Sequence, residues 1–298
     1  MKPANPTMRD YGLLITLSAI WGSSFMLIKV AVATIPAVSM TAGRLSVATI
    51  VMVVVAIMAG QKFPRDGKTW GLIALVAVFG NALPFGLISW GEERVDSGLA
   101  AIMMAIMPLT TLLLAHIFTS DEKLNRWKFL GVVLGVVGLV VLMGGDKLLS
   151  LGDDIIHQLA IALAAVFYGI SALIVKYIRG VPARAMTAGI LAISALSIIP
   201  VALMVNDVSQ ISPSGPALMA MITLGVVQTA IAGLLAYFII RKLGATFFSQ
   251  LNFMVPLFGV LFGVIFLSEN PGIHALLALA IILVGVGVAR YGIHKSMT

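Results

Sequence analysis

The sequence predicts an all-α membrane protein, with ten transmembrane helices arranged as two inverted repeats of five. Three observations carry that prediction. The 298-residue chain is 60% hydrophobic and only 10% charged, whereas a soluble domain is roughly 25% charged. Its apolar residues fall into ten runs, each near the length of about 20 residues that spans a bilayer as a helix. Its two halves also repeat each other at a nearly constant offset. Ten spans consume roughly 200 residues, which leaves connecting segments too short for a soluble catalytic or receptor domain. The chain has no cysteine, so disulfides, thiolate metal sites and cysteine nucleophiles are excluded. The runs are too long, and alternate too little, for outer-membrane strands.

The first span is placed at Tyr11–Val32. Lys2, Arg9 and the Ala31-Val32-Ala33 sequence imitate a cleaved leader. The run is long, however, contains Trp21 and Lys29, and has an internal copy, so it is expected to be retained. Trp21, Ser24, Phe25 and Ile28 form one stripe on it. Trp21 lies too deep for an interfacial anchor, and an aromatic ring there suits stacking on a cargo. Lys29 is near enough to the span's end to snorkel. Pro36–Met58, the second span, carries Arg44 about two turns in, which calls for a partner. Glu92, Glu93 and Asp96 occupy the same membrane half. One of them is expected to pair with Arg44, either as a gate or as a fixed ion pair. Capture of a substrate carboxylate is a third reading.

Trp70–Trp90 is the third span. Asn81 sits near its middle, and an amide offers both donors and an acceptor to a cargo; interhelical hydrogen bonding is the bland alternative. Pro84 frees a helical carbonyl, for cargo, for flexing or as a static kink. Trp90 is either a cavity wall or an interfacial anchor. Ser97–Phe118 follows, with Met103, Met104, Met107 and Pro108. Thioethers there serve either helix packing or an adaptable binding surface. Arg126–Met143 contains Gly131-x-x-x-Gly135, which allows close helix contact within the bundle or, less readily, across a weak dimer.

Ile155–Lys176 opens the second half with Tyr168, Ser171 and Ala172 on one stripe. Ala185–Met204 begins with Met186-Thr187-Ala188-Gly189, identical to Met40-Thr41-Ala42-Gly43. Pro216–Ile240 places Gln228 opposite Asn81. Ala245–Leu267 sets Ser249, Asn252 and Pro256 on one face, spaced i, i+3 and i+7. Ile273–Tyr291 is the tenth span. The halves divide as 1–145 and 146–298.

The repeat is more specific than any single motif. Trp21-Gly22-Ser23-Ser24 aligns with Tyr168-Gly169-Ile170-Ser171, and Lys29 with Lys176. Pro108 aligns with Pro256, Met104 with Asn252, and Ser120-Asp121 with Ser268-Glu269, all at offsets between 146 and 148. Five spans per half force the second copy to enter the membrane upside down. Inverted repeats suit carriers, because exchangeable halves can open alternately to either side of one central site. Charge fixes the orientation. With the N-terminus in the cytoplasm, fifteen Lys and Arg fall inside and only Arg94 and Lys147 outside. The net charge of +7 is therefore a topology signal, with both termini cytoplasmic.

These residues together resemble the drug/metabolite transporter superfamily. The resemblance rests on the five-plus-five arrangement, Trp21-Gly22-Ser23-Ser24-Phe25 ending in Lys29, Arg44 in the second span and Pro108 in the fourth. It covers essentially the whole chain and is strongest for the EamA-type branch, among bacterial exporters of the YddG type. It implies a central cavity lined by spans 1, 3, 4, 6, 8 and 9, with spans 5 and 10 peripheral. It also implies efflux of aromatic amino acids and related metabolites across the inner membrane.

No acidic residue falls at a midspan position, and the four histidines lie near span ends. That disfavours a carboxylate proton relay and favours a facilitator or loosely coupled exporter with a neutral cargo. Gly67-Lys68-Thr69 lacks the upstream glycine of a phosphate loop, so ATP hydrolysis is rejected. No catalytic, metal-binding or cofactor-binding constellation is expected. The predicted partners are a small-molecule substrate and the lipid bilayer, without nucleic acid, and a monomer suffices. The rival functions are a multidrug or cationic-compound exporter and, further off, a lipid flippase or scramblase.

Overall fold

The computed structural model describes residues 7–118, 124–143, 153–248 and 250–295. The boundary between the halves, Ser249 and the Ser120-Asp121 pair lie outside these residues. Among the described residues, ten long helical segments follow one another, with a 3-10 turn at Val208–Gln210 between the seventh and eighth, and no strand occurs. They are α1 (Met8–Val32), α2 (Ala37–Met58), α3 (Gly67–Gly91), α4 (Ser97–Phe118), α5 (Arg126–Met143), α6 (Asp153–Val175) and α7 (Ala183–Val205). The last three are α8 (Gly215–Thr223, Leu224–Ile231 and Ala232–Phe248), α9 (Leu251–Leu267) and α10 (Ile273–Lys295). Eight of these described segments are long and apolar enough to cross a membrane. The other two are α5, with 18 residues, and α9, with 17.

Large apolar side chains such as Ile50, Ile57, Leu196, Leu203 and Phe266 are exposed. In water such a surface would aggregate, but facing acyl chains it satisfies the same physics that buries a soluble core. The interior is closed by small residues. Gly22 lies against the backbone of Val255 and Gly259, which brings α1 onto α9, and Gly259 meets Ala101 of α4. Gly131 of α5 faces Gly285 and Ala289 of α10, and Gly135 faces Leu109. The glycines of α5 are thus consumed inside the bundle, not in a dimer seam.

Two helices share an unexpected feature. Val78–Ala82 in α3 and Leu224–Ile231 in α8 are π-helical. In α3 the wide turn delivers the chain to Pro84, which lacks an N–H and would crowd the carbonyl four residues back in a regular helix. In α8 no proline is involved. The Thr229 hydroxyl instead donates to the Leu224 carbonyl at 2.8 Å. Each π turn holds one of the symmetry-related amides, Asn81 or Gln228. In α4 the helix breaks at Ala105–Ile106, immediately before Met107-Pro108.

Candidate functional site: a central cavity

A cavity of about 500 Å³ lies between the two halves. Eight helices line it, all but α5 and α10. Peripheral α5 and α10 agree with expectation, but α2 and α7 also reach the cavity through Arg44 and through Thr187, Ile190 and Leu191. The lining positions of α6, α7 and α9 fall in the halves of those helices nearer the Asp10–Lys242 end of the bundle, and those of α1, α2, α3 and α4 mostly in the halves away from it, so the cavity is central. At that end Lys242 Nζ of α8 pairs with the Asp10 carboxylate of α1 at 2.7 Å.

Of the sequence-predicted binding residues, Trp21, Ser24, Asn81, Tyr168, Gln228 and Asn252 all line the cavity. The Trp21 indole N–H donates to the Gln228 carbonyl oxygen at 3.1 Å, and its ring meets Phe248 edge-on with centroids 6.1 Å apart. The Gln228 side-chain amide donates to the Ser23 hydroxyl at 3.3 Å. Its side-chain oxygen is buried with no hydrogen-bond partner. Asn81 donates to the Ser194 hydroxyl at 3.3 Å. Both amides thus spend donors on the protein, joining α3 to α7 and α8 to α1. Phe85 and Tyr168, 6.4 Å apart, complete an aromatic wall with Trp21, Phe25 and Phe248.

Two predicted residues stand apart from this lining. Pro84 is buried in α3 behind it, because the π turn rotates Asn81 and Phe85 toward the cavity and Pro84 away. Trp90 is 37% exposed and packs its ring on His157, with centroids 4.4 Å apart. Its place at the span end matches an anchor. Sequence reasoning misses Thr187, Thr229, Phe85 and Phe248. Thr187 is legible in the repeated Met-Thr-Ala-Gly motif, whereas the others depend on helix rotation.

The expected pairing of Arg44 with a carboxylate is corrected. Arg44 is only 5% exposed. Its Nε donates to the Thr229 hydroxyl at 3.0 Å, and its guanidinium carbon lies 3.9 Å from the Phe85 ring centroid. None of the three carboxyl candidates lies within ion-pair distance of Arg44, although the buried Glu92 acts on it electrostatically at longer range. Glu93 accepts from the Ala37 N–H at the start of α2, at 3.1 Å. Asp96 is the residue before α4 and is exposed. Glu92, just past the end of α3, is fully buried, and neither carboxyl oxygen has a hydrogen-bond partner. Burial pushes the Glu92 carboxyl well above the usual carboxylate range, against the pull of Lys29 and Arg44, while Glu269 pushes it further the same way. Lys29 does not snorkel freely: its ammonium donates to the carbonyls of Glu92 and Val95, each at 2.8 Å. Nearby, Glu269 crosses between the halves and accepts from Ser97 N–H at 2.7 Å and Gly98 N–H at 2.8 Å. That carboxylate caps α4, where the helix dipole favours it.

A helical membrane bundle with a central cavity between two repeated halves is the architecture of a transporter. The sequence pattern of the EamA-like transporter family matches twice, over residues 9–144 and 156–291. The chain belongs to that family, within the drug/metabolite transporter superfamily, and it is not an enzyme. It is similar to an uncharacterized transporter, YoaV, of Bacillus subtilis, at 22% identity across 92% of this chain and 94% of YoaV. A probable terminal-alkyne amino-acid exporter of Streptantibioticus cattleyicolor is 24% identical over 89% of this chain and 88% of its own. The inner membrane transporter YedA of Escherichia coli is 30% identical over a shorter stretch, 46% of this chain and 44% of YedA. A solved crystal structure 19% identical in sequence shares the fold with a TM-score of 0.67, covering 94% of this chain and 96% of that one.

Proposed function

We propose that this protein is a bacterial inner-membrane exporter of small amphipathic metabolites, foremost aromatic and other neutral amino acids, working by alternating access. The observation that carries this reading is the aromatic-walled cavity between the halves, with Asn81 and Gln228 at symmetric π turns. Its volume, about 500 Å³, lies within the range of small-molecule sites. Trp21 and Tyr168 provide apolar and aromatic contact, and Ser24, Asn81, Gln228 and Asn252 provide hydrogen bonds. The relative named as an amino-acid exporter supports the cargo class. The Lys and Arg distribution supports cytoplasmic termini, which puts the Asp10–Lys242 end inside. A multidrug or cationic-compound exporter is the second reading, but among the described residues no acidic side chain lines the cavity.

The test is flux in proteoliposomes. Labelled Trp, Phe and Thr, a cationic dye and a headgroup-labelled lipid are each followed with and without an imposed proton gradient. Saturable amino-acid movement supports the proposal, whereas movement of only the dye or only the lipid replaces it with that rival. Absence of amino-acid flux under both conditions refutes it.

A further inference from the structure

The cavity contains charge of one sign. Among the described residues, Arg44 is the only lining residue with a formally charged side chain; no Asp, Glu, Lys or His lines it. A guanidinium stays protonated at any relevant pH, and a buried cation is costly without an anion or hydrogen-bond acceptors. Here Nε is satisfied by Thr229 and one face is covered by Phe85. The two terminal nitrogens make no hydrogen bond among the described residues, and no carboxylate there lies within ion-pair distance. The residue related to Arg44 by the repeat is Ile190, which also lines the cavity. The positive charge therefore sits on one wall, with an apolar residue at the matching place on the other.

An open guanidinium edge with its Nε already occupied matches a carboxylate, which takes two parallel N–H donors. No acidic side chain among the described residues lines the cavity to offer the reciprocal site for an ammonium. We propose that Arg44 is the carboxylate-binding residue of the cavity, and that its substrates are aromatic or branched apolar monocarboxylates in which the carboxylate is required and the α-ammonium dispensable. The inference rests on the cavity being the transport site and shifts its substrate class from zwitterionic amino acids toward monocarboxylates. It also departs from the expectation of a neutral cargo. A net anion is favoured over a zwitterion, and a net cation is disfavoured most.

The test compares phenylalanine, N-acetylphenylalanine, phenyllactate and phenylalaninamide. Their binding to the purified full-length protein is measured by thermal shift and, in parallel, their competition with labelled phenylalanine flux in proteoliposomes. N-acetylphenylalanine and phenyllactate are expected to bind at least as tightly as phenylalanine, and the amide roughly tenfold more weakly. Arg44→Gln should erase that discrimination, and Arg44→Lys, which keeps the charge but loses the fork, should retain part of it. If Arg44→Gln fails to fold, the acid-against-amide contrast in the wild type decides. Equal binding of acid and amide, or no binding of any acid, overturns the proposal, as does discrimination that survives in Arg44→Gln. Acid-selective binding without flux instead removes the transport reading and leaves the Arg44 site standing.

Discussion

Replacing Glu269 with alanine tests how the two halves are held at one end of the bundle. The carboxylate accepts two short hydrogen bonds, 2.7 Å from Ser97 N and 2.8 Å from Gly98 N. Both donors belong to buried residues at the first turn of α4, so water cannot fully replace the lost acceptor. Hydrogen bonds to a charged group contribute about 1.5–3 kcal/mol each. Two would give about 3–6 kcal/mol, and because Glu269 itself is half-buried we discount this to about 2–4 kcal/mol. For a chain of this size each kcal/mol moves the melting temperature by roughly 2–4 °C, so the expected drop is about 5–15 °C. Glu269→Gln keeps one acceptor oxygen and should fall between. The assay is thermal unfolding of purified protein in detergent, followed by intrinsic tryptophan fluorescence. A melting temperature for Glu269→Ala within about 1 °C of wild type, well under the shift expected per kcal/mol, would refute the reasoning.

Two further predictions concern stability. Because burial raises the Glu92 carboxyl, the folded state holds its proton more tightly than the unfolded state. That contribution is fully present below the ordinary carboxylate pKa and is lost as pH rises toward the folded-state value. Wild-type melting temperature should therefore decline from acid toward alkaline pH more steeply than that of Glu92→Gln, and parallel curves would contradict this. At the α5–α10 seam, a Cβ on Gly131 would come 2.6 Å from Ala289 Cβ and 2.9 Å from Ala289 N. Gly131→Ala should cost about 1–3 kcal/mol by overpacking while leaving flux per folded molecule unchanged. Gly71→Ala, with open space around it, is the control, and equal melting temperatures for the two variants would contradict the packing account.

Much of the fold is legible in the amino-acid sequence because a bilayer leaves a helix few alternatives. Apolar runs locate all ten segments, and the repeated Met-Thr-Ala-Gly motif and paired prolines expose the duplication. The candidate site is legible where its signal is a polar or aromatic residue at mid-span, as with Trp21, Asn81, Tyr168 and Gln228. It is illegible where rotation decides. A π turn shifts every following side chain around the helix axis, and a proline after one segment and a threonine within the other are too common in spans to announce it. The turn in α3 explains why Pro84 lies behind the wall and Phe85 on it. The charges mislead differently. Sharing a membrane half suggests that Arg44 would meet a carboxylate. Yet Glu93 and Glu269 are taken by the N–H groups of helix starts, and Lys29 turns to carbonyls instead of to lipid headgroups. A local backbone donor, invisible to charge counting, takes Glu93, while Glu92 is buried without any hydrogen-bond partner.

The most direct test of the central cavity as the transport site is the initial rate of labelled phenylalanine flux in proteoliposomes, for wild type and the Asn81→Ala/Gln228→Ala double variant at matched folded protein. Wild type should show saturable flux and the variant a rate lower by roughly an order of magnitude, the factor expected when two hydrogen-bonding groups leave a binding site. Its melting transition should remain cooperative. Wild-type flux in a well-folded double variant would contradict the account.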